Sequence, residues 1–580
     1  MNEYREERKP GRKKRILLKI LIWFTIMILV MGSGVFTIGY YYYGRIIQIF
    51  LTEAIQKGSK GLYKADIGHL RLDIFTGDLF ITGFSLVPDT CRYDSLYIQD
   101  TVAPILVRLH IDEFSARDFN ILDFIRHRNI LIRSIRFDAP DVELFLMRAD
   151  PSKSRITRSR DIMFSLPLPE GVRSAWIKEI SLNEGKLIFH DLSGDTTKTF
   201  AIPQCNILIS NVWIDSTYQG TNRLFNADDI RFRMHDLHFK TSDELYDVLL
   251  GEVELSSGEK KIMIRNFKMD PMFSRSEFSR KRGFQTDQFT IAVDTITLYR
   301  LDFRSLLLEE GITAGTLAIT GMNIDNYRDK RIPLRKGYNP PMPHELVRGY
   351  KRYLNINSVV LQRGTVTYSE RVDEGTGTIR FDEISATMTG LTNDSVLLRN
   401  RFISVLKGSA RLQGKGRLNA TFQFWFGDKK NRFTFSAYMG SMDLTEVNPM
   451  LTKLTPVTIV RGKANKLVIP EVSANNNVAR GKLLFYYNDL IATMESKEKD
   501  AWSKIKTGII NVTANELILK DQNPSASGKL RSGIVHFKRD KSKGIVNFIW
   551  KSVLSGIKSS IGISTKEQKT IKKAEKKAAK

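Results

Sequence analysis

The sequence predicts a mainly β protein: an N-terminal transmembrane helix, then an elongated, repetitive antiparallel β-sheet with a few short helices and a C-terminal amphipathic helix. Three observations predict it. One apolar run, Ile16 to Tyr43, is long enough to cross a bilayer, which takes ~20 residues. From Tyr63 to about residue 540 the hydrophobic pattern alternates with period two, the spacing of a half-buried strand. Three segments then recur in order at nearly one offset, as in architectures built by adding modules.

Residues 1–15 form a basic tail ending in Arg12-Lys13-Lys14-Arg15. A basic cluster before an apolar span stays in the cytoplasm. The span, 16–43, includes Ile16, Trp23 and Phe24 and ends in Tyr40-Tyr41-Tyr42-Tyr43, an aromatic belt suited to the far interface. The expected topology is therefore single-pass, with the N-terminus cytoplasmic and the bulk on the other side. A cleaved signal peptide competes with this reading, but its apolar core spans only ~7–15 residues. Here the core is longer, and the small residues Gly32-Ser33-Gly34 lie inside it.

Residues 44–60 read as a juxtamembrane helix, with Ile46, Ile47, Phe50, Leu51, Ala54 and Ile55 at helical spacing. Residues 61–240 form a first β repeat, opening with strands Ile67–Ile74 and Leu79–Phe84 joined at Thr76-Gly77-Asp78. Residues 241–400 form a second, and 401–545 a C-terminal β region. Pro343–Leu354, Glu446–Lys453 and Ala501–Lys506 are helix candidates. Ala410 to Phe426 is the clearest strand: Leu412, Leu418, Phe422, Phe424 and Phe426 face one way, and mostly polar residues face the other. A sheet with one apolar and one wet face has this pattern. The length exceeds the usual 3–10 residues, so a bend near Gly414 or Gly416 is expected.

The repeat rests on three matches. Phe84–Pro88 resembles Phe267–Pro271, offset by 183; Asp118-Phe119 with its following helix and strand resembles Asp302-Phe303, offset by 184; Ile180–Phe189 resembles Val359–Tyr368, offset by 179. Basic loops fall between corresponding strands: Lys153, Arg155, Arg158 and Arg160 in one copy, Arg328, Lys330, Arg331, Arg335 and Lys336 in the other. Within 546–580, Val546, Ile549, Trp550, Val553, Leu554, Ile557 and Ile561 share one helical face ahead of a lysine-rich tail. Such a helix lies on a membrane or covers the last edge of a sheet; the need to hide an open edge favours the cover.

The net charge is +26 and the isoelectric point about 9.8. Residues 1–19 contribute +5 and residues 551–580 contribute +7. Nucleic acid is the usual partner of so basic a chain, but the anchor places the bulk away from it. Anionic lipid headgroups suit juxtamembrane basic clusters better. Two cysteines, Cys91 and Cys205, allow at most one disulfide. The close pair in His235-Asp236-Leu237-His238 lies three apart on a strand, where side chains take opposite faces. No Gly-x-Ser-x-Gly elbow, Walker loop, zincin helix or Cys-x-x-Cys motif occurs. The sequence thus predicts neither an enzyme, nor a metal site, nor a cofactor.

The anchor, the pattern over Tyr63–Pro88 and the segment Ala139-Pro140-Asp141-Val142-Glu143-Leu144 together resemble the AsmA-like family of Gram-negative envelope proteins. So do Met442-Asp443-Leu444, Asn448–Leu451, Arg461-Gly462 and Arg480–Leu490. The resemblance implies an inner-membrane anchor, a periplasmic sheet curled into a lengthwise groove, and phospholipid carried in support of outer-membrane assembly. Phospholipid, the inner membrane and outer-membrane or envelope proteins are the partners it implies. Leu412, Leu418, Phe422, Phe424 and Phe426 are the candidate groove residues. The alternative is a structural or assembly factor of the envelope with a dry β-sandwich core and no lipid cargo.

Overall fold

A computed structural model describes residue 27, residues 44–57 except 46–47, 50 and 54, and residues 59–578 except 74, 99–104, 148–171, 193–197, 216–225, 308–309, 401, 495–511, 514–515 and 518–519. The tail Arg12–Arg15 and the anchor residues Ile16, Trp23, Phe24 and Tyr40–Tyr43 lie outside the described residues. No helix among the described residues is long and apolar enough to cross a membrane. The chain is mainly β and divides into two units between Asp228 and Asp229. Residue 240 is the last of a strand whose hairpin partner follows it.

In the first unit the described residues of 44–57 are helical. They run beside β1 (Tyr63–Asp73), and Gln48 Nε2 donates to the Ile67 carbonyl. Then come β2 (Asp78–Pro88), α1 (Thr90–Ile98), β3 (Ile105–Arg117), α2 (Ile121–His127), β4 (Asn129–Asp138), β5 (Asp141–Leu146), β6 (Ser174–Asp191) and β7 (Lys198–Asp215). β4 and β5 are one interrupted strand. Both pair antiparallel with β3 and parallel with β6 in unbroken register.

The second unit opens with β8 (Asp229–Lys240), β9 (Tyr246–Ser256), β10 (Lys261–Pro271), α3 (Arg275–Arg282), β11 (Asp287–Tyr299), α4 (Phe303–Leu307) and β12 (Gly311–Asp329). It continues with α5 (Pro343–Gly349), β13 (Tyr353–Val372), β14 (Gly375–Thr392), α6 (Ser395–Arg399), β15 (Ser404–Leu412), β16 (Gly416–Phe424), β17 (Phe433–Met439) and β18 (Met442–Asp443). A 3₁₀ turn (Leu444–Val447) and α7 (Asn448–Leu454) lead to β19 (Val457–Ala474) and β20 (Val478–Met494). The short β21 (Val512–Thr513) and β22 (Glu516–Leu517), then β23 (Ser532–Lys538), α8 (Ile545–Ser560) and α9 (Lys566–Ala578), complete it.

Three expectations are corrected. The sheet is mixed rather than antiparallel, because β12–β13 pair in parallel as β4 and β5 do with β6. Parallel neighbours need a crossover of a dozen or more residues, and residues 147–173 and 330–352 connect these strands; Lys153, Arg155, Arg158 and Arg160 lie outside the described residues, and Arg328 is still within β12. Ala410–Phe426 is not one bent strand. It is the hairpin β15–β16, with Leu412 opposite Gly416 and Gly414 at φ 68° in the turn. The helix expected over 343–354 ends at Gly349, because Tyr353 already pairs as the first residue of β13. The candidate helix over Ala501–Lys506 lies outside the described residues.

The duplication appears bond by bond. Val107 N donates to Tyr63 Oη and Phe289 N to Tyr246 Oη, both at 3.2 Å. Asp89 N donates to Leu62 O and Met272 N to Leu245 O. Phe119 N donates to Gly77 O and Leu301 N to Lys260 O. These pairs fix the offset near Phe119 at 182 rather than 184, since Asp118 (φ 54°) corresponds to Arg300 (φ 52°).

The copies also share a line of left-handed residues across the strands. In the first it passes through Gly83 (φ 66°), Ala139 (φ 48°) and Glu184 (φ 54°); in the second, through Asn266 (φ 53°), Gly321 (φ 68°) and Arg363 (φ 55°). Gly68 and Gly251 hold the same place on the neighbouring strand. A Cβ there would come within 2.7 Å of Thr82 O or 2.8 Å of Asn266 Cβ. A left-handed residue locally re-aims the side chains that follow it, as in a bulge.

The far end of the second unit carries a packed core. Phe433, Val472, Leu483 and Phe485 of the sheet are buried with Phe548 of α8 and Met342 beside α5. The C-terminal helix takes the covering role expected of it. Its hydroxyls bond the outer edge of β23: Ile534 N donates to Ser559 Oγ (3.1 Å) and His536 N to Ser555 Oγ (3.3 Å). Gln568 Nε2 of α9 donates to Ile534 O (2.7 Å). An open edge is a template for aggregation, and here it is sealed by side chains. Ser559→Ala strands the buried Ile534 N–H, at a cost of ~1–3 kcal/mol. Native-state hydrogen exchange is expected to show that amide exchanging about tenfold faster or more; unchanged protection would mean the helix does not hold the edge.

Candidate functional site

Hydrogen-bond register carries one apolar row across the second unit. Met234, Val253, Ile264, Ile296, Ile319, Leu361, Ala386, Gly408, Ala420, Ala437 and Ile469 stand opposite one another on successive strands from β8 to β19. A parallel row runs Phe232, Leu255, Ile262, Leu298, Leu317, Val359, Met388, Leu406, Phe422, Phe435 and Val472. Strands lie ~4.8 Å apart, so each row is ~48 Å long.

Beyond the left-handed line a third row follows: Phe239, Val248, Met269, Ile291, Ile324, Val366, Phe381 and Leu412. The apolar positions shift parity there, from 253 and 255 on one side to 248 and 250 on the other. The re-aimed side chains thereby keep the apolar character on one face. The first unit has the same rows at equivalent positions. One is Leu70, Ile81, Phe114, Phe137, Leu182 and Ile207; the other is Ala65, Leu86, Leu109, Val142, Leu187 and Ile202.

Coverage divides this face in two. Ile264, Ile296, Ile319, Leu361 and Leu406 remain half-buried. In a sandwich a second sheet would bury them. Helices contact the ends of the strands: α3 buries Phe278 against Tyr246 (ring centroids 5.4 Å apart), and Leu301 and Phe303 are buried where α4 begins. Towards β17–β20 the face is closed by the packed core. The opposite face is wet and paired, with Arg265 Nη1 2.6 Å from Glu252 and Arg233 Nε 3.6 Å from the same carboxylate. A hollow over the middle of the row is lined by Leu361, Ala386, Gly408, Ala420, Ala437 and Ile469 together with polar neighbours such as Thr387, Lys407 and Asn419.

The five groove candidates separate accordingly. Leu412 and Phe422 lie in the rows and pack against the rim of the core. Leu418 is half-buried between Ala410 and Met439. Phe424 and Phe426 are inside the core, stacked 5.6 Å apart under His344. All four on the hairpin share a face, because the turn keeps even-numbered residues opposite even-numbered ones. The long open stretch, Ile264 to Leu361, escaped sequence reasoning. The repeat would have revealed it once its two halves were aligned across the parity shift.

The closed end is latched by α5. Arg348 donates to the carbonyls of Phe426 (2.6 Å) and Asp428 (3.0 Å) and to Asn431 Oδ1 (2.7 Å), and Asn431 Nδ2 donates to Glu345 (3.0 Å). His344 is fully buried, donates through Nε2 to Arg432 O (2.8 Å), and has no partner for Nδ1. Burial holds its pKa below the ordinary value, with Arg348 adding to the effect. Cys91 is exposed and Cys205 buried, and both are free thiols; burial raises the pKa of Cys205. Among the described residues no group of three or more His, Cys, Asp or Glu is placed to hold a metal ion.

No known family model matches the chain, and no curated protein matches it.

The depressed His344 pKa has a signed consequence. The unfolded chain takes up a proton near pH ~6.5 while the folded chain resists it. Stability is full above that pH and falls as pH drops, by at most ~1.4 kcal/mol per pH unit. Urea midpoints measured from pH 7.5 to 5.5 are expected to fall in the native protein and to flatten in His344→Gln; equal slopes would locate the titration elsewhere.

Proposed function

We propose that this chain is an inner-membrane-anchored periplasmic protein of AsmA-like type that binds or transfers phospholipid along its apolar sheet face and supports outer-membrane biogenesis. The observation that carries the reading is the in-register apolar row from Ile264 to Leu361, half-buried and continuous over four strands. Contiguous exposed apolar surface beyond a few hundred Å² marks a binding site in soluble proteins. Acyl chains fit it: they need an apolar track without directional polar contacts. The hydrocarbon core of a whole bilayer is ~30 Å thick, so the ~14 Å from Ile264 to Leu361 matches about one acyl chain. The Ile16–Tyr43 run supplies the membrane source, and the ion-paired opposite face keeps the sheet soluble. No step of chemistry is required of the protein, in keeping with a carrier.

A structural envelope factor would instead have the packed core of β17–β20 extended over the whole face. A photo-crosslinking residue at Ile319 of the full chain, irradiated in cells, separates the two. Phospholipid adducts are expected at position 319 and not at Arg265 on the opposite face. Protein adducts alone at 319, or equal lipid labelling at both positions, would remove the lipid path. Ile296→Asp with Ile319→Asp is expected to lower copurified phospholipid severalfold without loss of folding.

A further inference from the structure

The first unit carries an apolar and basic rim that the second lacks. Phe75, in the β1–β2 turn, is 86% exposed, and Leu122 and Ile125 on α2 are 65% and 64% exposed. The turn and the helix are built as one piece. Phe119 N donates to Gly77 O (3.1 Å), Asp118 N donates to Asp78 Oδ1 (3.0 Å), and a Cβ on Gly77 would come within 2.1 Å of Phe119 O. Arg126 and Arg128 stand exposed at the end of the same helix.

The duplication provides an internal control. The equivalents of Phe75 and Leu122 are Gly258 and Arg304, and Arg126-His127-Arg128 corresponds to Leu308-Glu309-Glu310; only Ile125 keeps an apolar counterpart, Leu307. The equivalent turn and helix thus carry Phe75 and Leu122 in one copy and Gly258 and Arg304 in the other. The second copy joins its strands and starts a short helix at the equivalent places without Phe75 or Leu122.

Position along the chain identifies the occupant. The helix over 44–57 runs antiparallel to β1, with Gln48 bonded to Ile67 O and Gly44 against Leu70 O. Each step back towards Gly44 therefore moves towards Asp73 and the Phe75 turn. Gly44, which follows the apolar run Ile16–Tyr43 in the chain, lies at that end. We infer that Phe75, Leu122 and Ile125 dock in the bilayer interface beside the anchor, with Arg126 and Arg128 on anionic headgroups, so that the first strands of the sheet open at the lipid surface. Aromatic and aliphatic side chains flanked by arginine are the composition that interface favours. The inference rests on the anchor reading above, not on lipid transfer.

The test uses the full chain in nanodiscs of phosphatidylethanolamine and phosphatidylglycerol, in a Cys91→Ser, Cys205→Ala background. Single cysteines replace Phe75, Leu122, Gly258 or Arg304, and each carries an environment-sensitive fluorophore. Lipids bearing a nitroxide near the headgroup are expected to quench positions 75 and 122 severalfold more than 258 and 304. Equal, weak quenching at all four, or a chain that does not incorporate into the discs, overturns the inference. Rim quenching without lipid adducts at position 319 would sink lipid transfer alone; adducts without rim quenching would sink the rim alone.

Discussion

Backbone register is the constraint on which the rest depends. Many strands in this protein alternate apolar and polar residues over part of their length, but alternation alone does not place the apolar residues of different strands side by side. The hydrogen-bond ladders do: Ile264, Ile296, Ile319 and Leu361 meet because their strands pair at those residues. A slip of one residue on one strand would turn its apolar set to the wet face. The ion pairs among Arg233, Arg265, Glu252 and Glu254 on the other side penalise such a slip further.

The left-handed line makes long strands compatible with that register. β13 and β14 span 20 and 18 residues, far beyond the usual length of ~5–6. A left-handed residue costs a non-glycine side chain ~1–2 kcal/mol, yet Ala139, Glu184, Asn266 and Arg363 accept it. Its recurrence at equivalent places in both copies ties it to the shared architecture rather than to a local sequence.

The broad outline was legible in the sequence because it depends on period and composition. The strands, the duplication, the helix over 343–349 and the covering helix at the C-terminus all come from such signals. The pairing was not. Nothing in Glu184 or Arg363 announces a left-handed backbone, so the parity shift hid the continuity of the rows. The turn at Gly414 preserves parity, so two strands read as one. Phe424 and Phe426 alternate like their neighbours, and only the return of α5 and α8 places them in a closed core. Parallel pairing stayed hidden for the same reason: crossover loops carry no strand signal of their own.

Duplication followed by divergence gives the first unit its distinct end. The two copies keep the same tyrosine hydroxyl contact and the same turn, while Phe75 and Leu122 face Gly258 and Arg304 across the repeat. The apolar face is common to both; the rim and the closing core are specialisations of the two termini. A density map of the full chain purified in lipid nanodiscs shows directly what lies on the apolar face. Elongated non-protein density is expected along Ile264, Ile296, Ile319 and Leu361. Protein density packed over those four residues would contradict the lipid path.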